Sequence, residues 1–448
     1  MPVPPHNRPA GGSHHDHISP YDRLAFSDIQ AQALLASGEH ATELIALFGD
    51  AEYRTLCTLV AQAERTRALG SPAGRVLIVP GMMGSQLGLP RAAPAPADLL
   101  WVDPADIIAG RIAELALGAR SAVRAMGAVL YSSLRLKLQL LAAGFDASIH
   151  DYDWRLSVED LGRQLAERVQ AEPHSRLSLV AHSMGGLVAR AALALPGTGK
   201  VQRVVLLGTP NGGSFSCVQA LRGTYPVVRR LASLDGHHDA EYLAAEVFST
   251  FPSLSQLLPA RAHTGRLDLF DARQWPPGPR PAAELLAGAA QLQRVLAPAD
   301  TRFAQVIGVG QLTVTGIARR GDDFLYTVTR HGDGTVPVAS AALPGVRAWY
   351  APLKHGELTR DPAVARAVVD LLRRGVTSRL RSRWSARSRA RAQVSDTQLR
   401  LAHLDKVDWS ALSPSQRGAF LQNLSEPQPL RLKVPVLRGA KRPKPRRS

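Results

Sequence analysis

The chain has 448 residues, 45 % apolar and 20 % charged, a globular balance with room for a large enzyme core and appended segments. Two cysteines, Cys57 and Cys217, exclude a disulfide framework; the lack of any CxxC excludes a thiolate zinc site, and no run of eighteen apolar residues offers a transmembrane helix. The formal net charge is +17, from 54 Lys plus Arg against 37 Asp plus Glu, which raises the question of an anionic partner, nucleic acid or a membrane surface.

Residues 1–20 are rich in Pro, Gly and His and are expected to be disordered. They lack an apolar h-region, so the expected location is cytoplasmic, with signal-independent export as the alternative. The HHDH run (His14, His15, Asp16, His17) reads as a solvated tail rather than a metal site, because nothing holds the ligands in place. Residues 21–73 read as a helical extension. In LIALFGDAEYRTLCTLVAQAERTRAL the apolar residues recur at three- and four-residue steps.

From residue 74 to 375, apolar strand candidates alternate with amphipathic helices, the pattern of a parallel sheet covered on both faces. The strand candidates are RVLIVPG (75–81), FDASIHDYDW (145–154), LSLVAH (177–182), VQRVVLLGTP (201–210), FAQVIGVG (303–310) and RAWYAPL (347–353). Helices are expected over 157–170, with Ser157 as N-cap and Asp160 three positions on, and over 184–195. Residues 214–300, aromatic and proline-rich, break the rhythm and suit a cap or lid over a site.

The residues that carry chemistry begin with LVAHSMGGL (179–187). A strand runs into a tight turn at Ser183 and a helix starts at once, the context of a nucleophile elbow. Ala181 and Gly185 are small enough for strand and helix to cross closely. The plain alternative is a strand-to-helix turn with Ser183 as N-cap. A serine needs a base and an orienting acid, in the order Ser, acid, His. Asp333 in RHGDGTVP and His355 in LKHGEL supply them, each in a turn after a candidate strand. Asp333 is also readable as an ordinary turn residue. His182 and His331 are rival bases, but His182 adjoins the nucleophile and is expected to point away from it, and His331 reads as a loop residue; the rival acids Asp322 and Asp323 sit at a hairpin tip and read as solvated. An oxyanion hole needs two backbone N–H groups: Met184 follows the nucleophile, and Met82 lies in PGMMGS, where Gly81 and Gly84 let the chain turn inward. GMMGSQLG is no phosphate-binding loop, because no Lys-Ser/Thr follows, and no cofactor is called for.

Together VLIVPGMMGSQL (76–87), YDWRL (152–156), AHSMGGL (181–187), FPSLSQLLP (251–259), GDGTVP (332–337) and LKHGEL resemble the lecithin:cholesterol acyltransferase family, over roughly residues 74–375. The resemblance implies an α/β-hydrolase fold: a mostly parallel central sheet, helices on both faces and an inserted lid. It implies a triad of Ser183, Asp333 and His355, with Met82 and Met184 as oxyanion donors. Asp153 is carried over as a residue near the site that holds the loop after its strand. The expected activity is hydrolysis of lipid acyl esters, or acyl transfer, through an acyl-enzyme. A small-ester esterase on the same fold, and a nucleic-acid or scaffold protein on an inactive hydrolase fold, are the alternatives.

Residues 371–448 hold 19 Lys or Arg against 4 Asp or Glu, a net of +15, which leaves +2 for residues 1–370. Residues 376–448 therefore read as a basic, largely disordered tail, with a short helical patch around SPSQRGAFLQNL (413–424), that docks to anionic phospholipid or stays solvated. In TSRLRSRWSARSRARA, Arg379, Arg383, Arg387 and Arg391 form one stripe if the segment is helical, and Trp384 is a candidate interfacial anchor. KRPKPRRS (441–448) is a second basic cluster.

Overall fold

Strands without polar alternation are stable only inside a sheet buried on both faces. A computed structural model of the chain describes residues 26–70, 72–118, 121–385, 391–402 and 405–425. Its strands, in chain order, are β1 (Arg75–Val79), β2 (Ser85–Leu89), β3 (Asp98–Trp101), β4 (Arg124–Ala128), β5 (Asp146–Ile149) and β6 (Leu177–His182). They continue with β7 (Val201–Leu207), β8 (Phe303–Gly308), β9 (Thr313–Arg320), β10 (Asp323–Thr329), β11 (Ala348–Ala351) and β12 (Ala392–Ser395).

The six apolar runs all enter one sheet, in the order β11-β8-β7-β6-β1-β5. Every pairing in it is parallel. Alternate residues of β1 enter two separate apolar cores: Leu77 and Val79 one, Val76 and Ile78 the other. Helices Val158–Ala171 and Met184–Leu193 supply the first core, and Leu130–Ala142 and Pro362–Arg374 supply the second. Ser157 caps its helix as expected, its side chain accepting from the Asp160 amide. This is an α/β-hydrolase sheet, with its strands' C-terminal ends gathered on one side.

Two small antiparallel sheets, β3-β2-β4 and β12-β10-β9, lie outside the apolar pattern. Between β7 and β8 the described chain forms only short helices and turns, the stretch expected as a lid.

The single helical pattern expected over residues 44–69 is two helices. Ala41–Phe48 ends and Asp50–Ala68 begins at Gly49, whose φ of 82° and ψ of 151° no helix contains. With helix Asp28–Ser37 they bury Ala31, Leu35, Leu44, Leu56 and Val60 against Leu130, Leu134 and Leu138 of the body.

The described part of residues 376–448 carries more regular structure than the composition suggested: helix Pro414–Ser425 falls on the expected helical patch, and further elements precede it. β12 pairs antiparallel with β10, completing a hairpin edge that β9 leaves open. Helix Asp396–Leu401 follows, with Asp396 fully buried, and Lys406 donates to the carbonyls of Ala232 and Asp235. Residues 377–385 are not helical, so the expected four-residue arginine stripe is absent over Arg379 and Arg383. Hydrogen bonds tie this stretch to the body. The Tyr350 amide donates to the Arg381 carbonyl at 2.8 Å, and Trp349 Nε1 donates to the Thr377 carbonyl at 3.0 Å. The HHDH run, Arg387 and KRPKPRRS lie outside the described residues.

Candidate active site

Ser183 stands at the C-terminal end of β6, and helix Met184–Leu193 begins at the next residue. Its φ of 52° and ψ of −128° are sparsely populated by any residue with a Cβ, so the surroundings must hold it there. The Ser183 amide donates to the Leu207 carbonyl at 2.9 Å, tying the turn to β7. Close packing does the rest. A Cβ on Gly185 would collide with the carbonyls of Val79 and Pro80, and one on Gly81 would lie 2.7 Å from the Ser183 Cβ. Ser183 makes no capping bond to its helix, so the N-cap alternative fails and its Oγ is free for another partner.

That partner is His355, whose Nε2 lies 2.8 Å from Ser183 Oγ. His355 follows β11 and is 4 % exposed. Its Nδ1 lies 2.7 Å from Asp333 Oδ2. A carboxylate only accepts, so Nδ1 carries the proton and Nε2 is left bare toward the serine hydroxyl. Asp333 is itself fixed: Oδ1 accepts from the amides of Thr335 at 2.9 Å and Val336 at 2.7 Å, and its carbonyl accepts from the His355 amide at 2.9 Å. The structure thus brings together three side chains that lie 172 and 22 residues apart.

Met82 lines the pocket beside Ser183, and among the described residues its amide has no hydrogen-bond acceptor. Met184 is the first residue of its helix, where an N–H has no acceptor within the helix. The Gly84 amide closes the PGMMGS turn onto the Gly81 carbonyl at 3.0 Å. Asp153 does not face the reacting groups. Its Oδ2 accepts from Arg155 at 2.6 Å, and Arg155, 1 % exposed, also donates to the carbonyls of Leu115 and Val123. The neighbouring Tyr152 hydroxyl donates to the Pro80 carbonyl, and Trp154 Nε1 donates to the Ser85 carbonyl at 3.0 Å. YDWRL therefore braces the PGMMGS turn. FPSLSQLLP braces YDWRL in turn, through Ser253 Oγ on the Trp154 carbonyl and a Trp154–Phe251 edge contact.

His182 is the residue that sequence reasoning undervalued. It is no base for Ser183, but it does not point away from the site either. Its ring lies 4.8 Å from the His355 ring, and its Nε2 lies 3.1 Å from the His355 carbonyl, to which it donates. Burial, and secondarily the neighbouring His355, push its pKa down to about 3, so it stays neutral. His331 and Asp323 are spent elsewhere. His331 packs edge-on against Trp384, and Asp323 accepts from the Thr397 amide.

Above Ser183 opens a pocket walled by Trp154, Cys217, Ala220, Val227, Val228, Phe248, Leu254 and Leu257. Most of that wall comes from the stretch between β7 and β8. Burial raises the Cys217 thiol to about 12, so it serves as an apolar wall atom and not as a nucleophile. Among the described residues no group of three or more His, Cys, Asp or Glu side chains can hold a metal ion. No described helix is long and apolar enough to cross a membrane.

Sheet order and serine turn together define an α/β-hydrolase fold. The model of the PGAP1-like alpha/beta domain family matches residues 156–229, which include the Ser183 turn. A chain of the Tle4–Tli4 complex is similar at 15 % identity, over 67 % of this chain and 98 % of that one, with a TM-score of 0.40. The mature Bacillus licheniformis lipase BlEst2 is similar at 14 % identity, over 68 % and 93 %, with a TM-score of 0.34. The product of the gene lin2722 from Listeria innocua is similar at 11 % identity, over 68 % and 96 %, with a TM-score of 0.28. No curated protein matches the chain.

Proposed function

We propose that the protein is a serine-dependent lipid acyl-ester hydrolase working through an acyl-enzyme on Ser183. The observation that carries this reading is the continuous chain Ser183 Oγ–His355 Nε2, His355 Nδ1–Asp333 Oδ2, at 2.8 and 2.7 Å, beneath an apolar pocket. His355 takes the hydroxyl proton as Ser183 Oγ bonds to the ester carbonyl carbon. Asp333 holds the imidazole in its reactive tautomer and stabilises the imidazolium. The amides of Met82 and Met184 receive the developing oxyanion. The bond to the leaving alcohol breaks as His355 returns its proton to the alkoxide. Water, deprotonated by His355, then releases the fatty acid and restores Ser183.

The pocket wall suits a hydrocarbon chain better than a polar acyl group, because a polar group buried there would have few partners. This supports a lipid substrate over a short polar ester. Acyl transfer to an alcohol, as the resemblance to the lecithin:cholesterol acyltransferase family implies, uses the same acyl-enzyme with an alcohol in place of water. A panel of phospholipids, glycerolipids and short p-nitrophenyl esters, with and without an added alcohol, tests the reading by mass spectrometry of the products. Long-chain ester hydrolysis that disappears in Ser183→Ala is the expected result. Turnover of short polar esters alone would make the protein a small-ester esterase.

A further inference from the structure

Residues 376–385 form no helix and run beside the edge strand β11, with bends at 378–380 and 382 and an isolated antiparallel bridge from Arg381 to Tyr350. Leu380 packs against one apolar core, and Trp384 packs on another and stacks on Tyr350 at 6.5 Å. Arg379, Arg381 and Arg383 are exposed. These three arginines, at every second residue, make a short basic stripe along the chain in place of a helical one.

The stripe forms one wall of an open groove, with Arg330 and the Tyr350 and Trp384 rings also lining it. Among the described residues neither Arg381 nor Arg383 meets a carboxylate. Arg330 donates to the Gly310 carbonyl and has no carboxylate partner either. Arg379 shares Asp370 with Arg374. The groove's acidic residue is Asp361, whose Oδ1 is already taken by the amides of Ala363 and Val364. The groove is thus strongly cationic, with two aromatic faces at its rim. Val309 and Tyr350 to Leu353 also line it, so the groove lies at the C-terminal ends of β8 and β11, and Leu353 is two residues before His355 in the chain.

We propose that this groove docks the protein on an anionic phospholipid bilayer, with Arg330, Arg379, Arg381 and Arg383 on lipid phosphates and Trp384 at the interface. Guanidinium groups match phosphate geometry, and aromatic rings favour the headgroup level. The choice of a lipid surface rests on the lipid-ester reading above, because a hydrolase of lipid esters meets its substrate at such a surface.

The test uses the full chain and the double variant Arg381→Glu/Arg383→Glu, at positions whose side chains make no hydrogen bond or ion pair among the described residues. Co-sedimentation with vesicles of phosphatidylcholine, with and without about a third phosphatidylglycerol, reads docking. Turnover of a soluble p-nitrophenyl ester reads the active site separately. The expected result is binding only to the anionic vesicles, weakened about tenfold or more in the variant and by added salt, with soluble-ester turnover unchanged. Equal binding of variant and parent chain would overturn the proposal, as would binding lost only when KRPKPRRS is neutralised. Binding to RNA at equal salt with none to vesicles would also overturn it. Loss of soluble-ester turnover in the parent chain would strike the hydrolase reading alone.

Discussion

Arg222 Nε donates to Asp396 Oδ2 at 2.8 Å across 174 residues of sequence, in a site where the two side chains are 1 % and 0 % exposed. The Tyr326 hydroxyl donates to Asp396 Oδ1 at 2.6 Å. The rest of the guanidinium donates to the carbonyls of Pro276, Pro277 and Pro279. Arg222 caps helix Phe215–Leu221, which carries the pocket-lining Cys217 and Ala220. One ion pair thus fastens the pocket wall to β10 and to the C-terminal segment, in a chain whose two cysteines are both free.

Removing one partner leaves the other charge buried and uncompensated, which costs about 3–5 kcal/mol. Asp396→Ala should lower the free energy of unfolding by that much, read as a lower urea midpoint with the slope of the transition unchanged. A loss under about 1 kcal/mol would show that the pair does not fasten the wall. For the same reason, a truncation at residue 375 removes more than a basic tail: it also strips Asp396 from Arg222.

Asp333→Asn should leave the fold intact and cut kcat by roughly four orders of magnitude. An asparagine offers the two amides of the 333–336 turn an acceptor only by turning its own N–H₂ toward His355 Nδ1, which forces the wrong tautomer. Steady-state kinetics on a short ester, beside a thermal unfolding curve, check this. A kcat within tenfold of the parent would remove Asp333 from the machinery.

Gly81→Ala should damage activity and stability together. The new methyl falls 2.7 Å from the Ser183 Cβ and 3.3 Å from its Oγ, so either the elbow or the oxyanion turn must shift. Overpacking of this kind costs about 1–3 kcal/mol, and a shift of the elbow lowers kcat further. Unchanged kinetics would mean that the turn has slack it does not show.

His182 gives the protein an acid-sensitive component. Burial depresses its pKa from 6.5 to about 3, so between these values the unfolded chain binds the proton and the folded chain does not. Its contribution is therefore complete above pH 6.5 and is lost as pH falls toward 3, at about 1.4 kcal/mol per unit. His150, depressed to about 4, acts in the same direction, so the readout is the difference between parent and His182→Gln. The parent should lose stability faster from pH 6.5 to 5. Parallel curves would show that His182 is not held neutral.

The central sheet was legible because its inner strands are largely apolar runs, with β1 and β8 buried at every position, while the outer strands β5 and β11 are only partly buried. Ser183, Asp333 and His355 were legible because each sits in a turn after such a strand. The small antiparallel sheets were not. β2 carries a glycine and mixed burial in SQLGL, and β12 pairs with a strand more than sixty residues earlier. Nothing local marks Asp396 as the partner of Arg222, and the composition of its surroundings pointed to disorder. The arginines were visible, but the long-range bridge from Arg381 to Tyr350 that goes with their non-helical path was not. His182 looked idle because a residue beside a nucleophile points away from it, yet β11 carries His355 round to meet it.

The central claim is that Ser183 is the nucleophile of an acyl-ester hydrolase. Its most direct test is the kcat of Ser183→Ala on a p-nitrophenyl ester, measured beside the unfolding transition of both chains. The predicted result is a loss of about six orders of magnitude with the transition unmoved. Turnover retained within tenfold, in a folded variant, would contradict the account.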